Sequence, residues 1–68
     1  MENTKKQYER AVQLENMLHR LQSKIYNFQT ELEEKNNSAS ESVGNSGFEL
    51  ETALSEMQDA IKQLTKTI

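Results

Sequence analysis

A chain of 68 residues has room for one small domain, and its formal net charge of -3 suits neither DNA nor RNA, which require clustered positive charge. It contains no Cys, which excludes disulfides, thiolate chemistry and sulfur-ligated zinc, and no apolar run approaches the ~20 residues that span a bilayer. We therefore expect a single helical domain over 1–68 that needs no cofactor, binds no nucleic acid, inserts into no membrane and is cytoplasmic or nuclear rather than secreted. The balance of 34% hydrophobic and 28% charged residues is typical of coiled coils.

The first predicted element is a helix over 3–35 that carries a coiled-coil stripe. Its apolar residues follow one another at alternating steps of four and three, and the register extends back to Ala11. An average spacing of ~3.5 residues keeps such a stripe against a partner helix by left-handed supercoiling. The stripe comprises Leu14, Leu18, Leu21, Ile25, Phe28 and Leu32.

The second predicted element is a flexible linker over 36–46, rich in Ser, Asn and Gly. It ends at Ser46-Gly47-Phe48-Glu49, an S-x-x-E pattern in which the hydroxyl and the carboxylate satisfy free amides at a helix start. This capping box predicts that the second helix begins at Gly47.

The second helix, predicted over 47–68, repeats the spacing of the first. Its stripe comprises Leu50, Leu54, Met57, Ile61, Leu64 and Ile68. On one flank of the stripes, Met17, Ala53 and Ala60 widen the apolar surface beyond two residues per heptad. Such a wide stripe favours contact with more than one neighbouring helix.

The predicted fold is all-α: a two-helix antiparallel coiled-coil hairpin that completes a four-helix bundle by oligomerisation. The stripes match in antiparallel register from Leu14 with Ile68 to Leu32 with Leu50. In this register Tyr8, Ala11 and Val12 extend past the second helix, which predicts them as a contact site for another subunit. A linker of about twelve residues is also long enough for a parallel return.

Charge separates along the predicted hairpin. Glutamates gather towards the closed end, whereas lysines and arginines collect towards the open end. This separation favours a second hairpin packed head to tail, which would place opposite charges together.

Candidate catalytic and metal-binding residues are few. His19 is the only imidazole, and with Glu15 it supplies fewer than the three or four ligands of a usual zinc site. The Ser residues cluster in the predicted linker, away from a base or an oxyanion-binding group. We expect no enzymatic activity and no metal.

The leading functional hypothesis is a non-enzymatic coiled-coil interaction module, a small subunit or adaptor whose partners are protein helices, either its own in a homodimer of hairpins or those of a heteromeric complex. The alternative is a small hairpin chaperone that binds the amphipathic helix of a client protein. A third hypothesis, membrane-fusion machinery with a parallel bundle, is disfavoured because neither stripe contains a Gln.

Overall fold

The computed structural model describes residues 2–66, which form two α-helices and a short turn. Helix α1 spans Glu2–Glu34 and helix α2 spans Ala39–Lys66. The two helices pack against each other along an antiparallel hairpin with extents of 52 × 15 × 10 Å. The all-α helical hairpin is therefore confirmed, while the predicted core residue Ile68 lies outside the described residues.

The turn between the helices is tight and is held by several backbone hydrogen bonds. The amide of Asn36 donates to the Glu33 carbonyl and that of Asn37 to the Leu32 carbonyl, which is the Schellman pattern at a helix C-terminus. Asn36 takes the left-handed conformation that this motif requires, with φ of 55°. The Asn37 side chain then caps α2, because its Oδ1 accepts a hydrogen bond of 2.9 Å from the amide of Ala39.

The predicted linker and the predicted start of the second helix are therefore wrong. Most of 36–46 is helical, and α2 begins at Ala39, eight residues before Gly47. The Ser46 hydroxyl does not cap a helix but donates to the Val43 carbonyl one turn earlier, at 2.7 Å. The physical reason lies in packing: small side chains that favour flexibility in isolation allow this segment to approach α1 closely.

Glycines in α2 show how the helices are aligned. A Cβ built on Gly47 would lie 2.7 Å from Tyr26 Cε1 and 3.1 Å from Ile25 Cγ2, and one built on Gly44 would collide with the amide of Gln29. The predicted register is therefore wrong, because Ile25 faces Gly47 rather than Met57, ten residues nearer the turn.

The corrected register changes what covers the start of α1. Steps of seven residues from Gly47 beside Ile25 put Leu54 opposite Leu18 and Ile61 opposite Ala11. Ala11 is only 7% exposed, and Tyr8 and Val12 are half-buried. The prediction that these three residues extend past the second helix is wrong, because α2 begins earlier and so runs back alongside them.

Helix α1 is also turned about its axis relative to the predicted coiled coil. The residues that alternate with Leu18 and Ile25 on the side facing α2 are half-buried and mainly polar: Tyr8, Glu15, Gln22 and Gln29. Gln22 Nε2 donates a hydrogen bond of 3.1 Å to the Gly47 carbonyl, which is accessible because glycine has no side chain. Two glutamines thus lie between the helices, where the sequence predicted none.

Candidate helix-docking face

Rotation of α1 leaves half of its predicted stripe in solvent. Leu14, Leu21 and Phe28 were predicted to face the second helix, but they are 42%, 48% and 50% exposed. Met17 is 58% exposed and lies one turn from both Leu14 and Leu21. The hairpin thus displays a row of large apolar side chains along one side of α1.

This row borders an open groove of about 510 Å³ between the helices. Its lining is mostly apolar, with two basic side chains from α1. The lining residues are Leu14, Met17, Leu18, Arg20, Leu21, Lys24 and Met57. Met57 is the lining residue that α2 contributes. The side of α2 that carries Met57 therefore lies on the same face of the hairpin as the side of α1 that carries Leu14 and Leu21.

Helix α2 extends the same face with small side chains. Ala53 lies four residues before Met57 and Ala60 three residues after it, so both occupy the same side of α2 as Met57. Both are half-buried. We call this surface the open face, and it comprises Leu14, Met17, Leu21, Phe28, Ala53, Met57 and Ala60.

The sides of the open face carry opposite charges. Arg20 and Lys24 flank Met17 and Leu21 on the α1 side. On the α2 side, Glu49 lies one turn before Ala53, and Glu56 one turn before Ala60. We call these pairs the basic edge and the acidic edge. None of the four side chains makes a hydrogen bond or ion pair with the other described residues of the hairpin.

The opposite side of the hairpin has less exposed apolar surface. Phe48 is exposed on this side. It lies nine residues, or two and a half helical turns, before Met57 and therefore on the opposite side of α2. Val12 and Tyr26 are half-buried, and His19 is exposed. Single exposed aromatic residues are common on protein surfaces, so we assign no site to this side.

Other predicted interface residues lie where the helices meet. Leu54 is 6% exposed, and together with Ala11 it makes up the buried apolar core of the described residues. The remaining members of the two stripes are half-buried, namely Leu18, Ile25, Leu32, Leu50, Met57, Ile61 and Leu64. No side chain among residues 4–66 is completely shielded from solvent.

No family model, curated protein or solved structure matches the chain. Over the described part of the chain, neither helix has an apolar stretch that could cross a membrane. Within the same range, no group of three or more His, Cys, Asp or Glu side chains is placed to hold a metal ion.

The open face could be found only in part from the sequence. The spacing identifies Met17, Ala53 and Ala60 as a flank that widens the stripes, and that flank is part of the face. The outward position of Leu14, Leu21 and Phe28 was missed, because heptad spacing alone does not determine how far a helix is turned about its axis. The glycines at 44 and 47, which allow α2 to approach Gln29, Ile25 and Tyr26 closely, are the available signal.

Proposed function

We propose that this protein is a non-enzymatic helical interaction module, a small subunit or adaptor that uses the open face to pack against helices of an assembly. The observation that carries the proposal is the row from Leu14 to Phe28, four large apolar side chains 42–58% exposed on one side of one helix. Contiguous apolar surface of this kind typically marks an interaction site.

The small core supports the same proposal. Burial of apolar area is the main favourable term in folding, yet the buried apolar core of the described residues consists of Ala11 and Leu54 alone. A helix docked on the open face would remove Leu14, Leu21 and Met57 from water together. Binding would therefore also stabilise the hairpin, because a partner that binds only the folded state shifts the folding equilibrium.

The proposal is tested by a charge placed at the centre of the open face. We expect Leu21→Arg to release the tagged chain from its assembly in extracts of cells that make it, because an unpaired charge cannot be buried against an apolar helix. Gel filtration of the extract measures the size of that assembly. A shift to the size of a single 7.9 kDa chain supports the proposal.

The matched control is Ser23→Arg, which adds the same charge two residues away on the exposed side of α1. It should leave the assembly unchanged, and circular dichroism should show equal helicity for both variants. Equal elution of Leu21→Arg and the wild-type protein would contradict the proposed use of the open face.

A second candidate function, a chaperone for amphipathic helices, is favoured by Met17 and Met57, which both line the groove. Methionine side chains are flexible and adapt to varied apolar partners. A chaperone would suppress aggregation of an amphipathic helical peptide at stoichiometric amounts, and Leu21→Arg would abolish that effect. A peptide that aggregates equally with and without the protein would exclude this function.

A further inference from the structure

We propose that the occupant of the open face is a second copy of this chain, packed face to face about a twofold axis that runs parallel to the helices. This inference rests on the proposed function, and it names the partner. Two hairpins in this arrangement form a four-helix bundle in which each helix is antiparallel to both of its neighbours.

The two edges of the open face select this arrangement. A twofold axis parallel to the helices places α1 of one copy over α2 of the other, so each basic edge meets an acidic edge. A twofold axis perpendicular to the helices instead places α1 over α1 and α2 over α2, so like charges meet on both sides. Opposite charges across an interface favour the correct orientation, and like charges oppose it.

The heights of these charges along the hairpin also match. Gly47 lies beside Ile25 and Tyr26, so Glu49, two residues further along α2, is level with Lys24. Glu56, two turns beyond Glu49, is level with Met17. Arg20 therefore lies at a height between the two glutamates.

Rotation about an axis parallel to the helices leaves heights unchanged. Lys24 of one copy consequently lies level with Glu49 of the partner subunit, and Arg20 lies between Glu49 and Glu56 of the partner subunit. The twofold repeats these pairs on the other side. All four side chains are exposed in the single hairpin and make no other hydrogen bond or ion pair with described residues.

The corrected register moves Glu49 and Glu51 away from the closed end of the hairpin. The predicted hairpin placed Glu49 and Glu51 at the closed end, where they added to the charge of Glu33 and Glu34. In the structure they lie in the middle of α2, more than two helical turns beyond its start at Ala39. There Glu49 and Glu51 lie near the height of Lys24, away from the end of the bundle.

Paired charge reversals test the proposal on purified protein. We expect Lys24→Glu alone and Glu49→Lys alone each to weaken self-association about tenfold or more, since each change turns two attractive pairs of the dimer into repulsive ones. Sedimentation equilibrium measures these constants. Circular dichroism at high protein concentration checks that both variants remain helical.

A mixture of the two variants gives the decisive result. In a mixed dimer, the glutamate introduced at position 24 of the first variant would face the lysine introduced at position 49 of the second. On the other side of the twofold, the unchanged Lys24 would face the unchanged Glu49, so the mixed dimer regains the lost affinity.

The control pair for this mixture is Lys62→Glu and Glu51→Lys, which changes the same charges away from the open face. Both control variants should self-associate like the wild-type protein. No selective mixed dimer, or equal self-association of all variants, would overturn the proposed pairing.

The direction of packing has its own measurement. A spin label can be attached to the Lys35→Cys variant, near the turn. In the parallel-axis dimer the two labels lie at the same end, and the distance between them is less than half of the 52 Å length of the hairpin. In a head-to-tail dimer they lie at opposite ends, separated by most of that length. Double electron–electron resonance distinguishes the two, and a long distance would contradict the proposal.

Failure of this proposal can be told apart from failure of the proposed function. A purified chain that stays monomeric at high concentration, while Leu21→Arg still disrupts the assembly in cell extract, would show that a different protein occupies the open face. An assembly insensitive to Leu21→Arg would reject the face itself.

Discussion

Gly44 and Gly47 lie three residues apart in α2 and face different residues of α1. This difference provides a test of the register between the two helices. The three atoms nearest to a Cβ at position 44 belong to the terminal amide of the flexible Gln29 side chain, whereas a Cβ at position 47 meets the Tyr26 ring and the Ile25 side chain. We expect Gly44→Ala to raise the free energy of unfolding by about 0.5–1 kcal/mol, because alanine favours the helix and Gln29 can turn away.

Gly47→Ala has the same helical advantage but must displace an aromatic ring and a branched side chain. We expect it to lower the free energy of unfolding by about 1 kcal/mol or more. Urea titration of both variants measures the difference, and each serves as the control for the other. Equal effects of the two substitutions would be inconsistent with close contact between Gly47 and α1.

At the scale of the helices, the turn at Asn36 and Asn37 sets where α2 begins and thus how the two helices align. Asn36 has φ of 55°, a conformation in which a β-branched residue is strained. We expect Asn36→Val to lower the free energy of unfolding by about 1–2 kcal/mol, and Asn36→Gly to preserve it or raise it slightly. Thermal unfolding monitored by circular dichroism checks both.

Asn27→Val is the matched control for the turn, because Asn27 is exposed within α1 and valine and asparagine have similar helix propensities. It should change stability little. If Asn36→Val and Asn27→Val behaved alike, the left-handed turn residue would not be responsible for the alignment.

The helices themselves could be predicted from the sequence, because heptad spacing is a local pattern and Leu18, Ile25, Leu54 and Ile61 do lie between them. The register of the two helices could not be predicted, because it depends on the balance of competing contacts along the whole hairpin. The composition of 36–46 suggested a flexible linker, although its Asn residues match a helix end followed by a helix start. Heptad spacing places polar residues such as Gln22 outside the stripe, yet the Gln22 side chain donates a hydrogen bond to the Gly47 carbonyl between the helices.

The whole molecule combines a long contact between two helices with very little buried apolar surface. Large apolar side chains on the open face remain in water, and its charged edges have no ionic partner among the described residues. A second hairpin, related by a twofold axis parallel to the helices, would cover the apolar side chains and would pair each basic edge with an acidic edge. Folding and association should then be coupled, so that stability depends on protein concentration.

Thermal unfolding of the purified chain over an about hundredfold range of concentration tests this coupling most directly. We predict that the midpoint rises with concentration by about 5 °C or more across that range, and that Leu21→Arg removes the rise. A wild-type midpoint that stays constant from the lowest to the highest concentration would contradict completion of the core by a second copy.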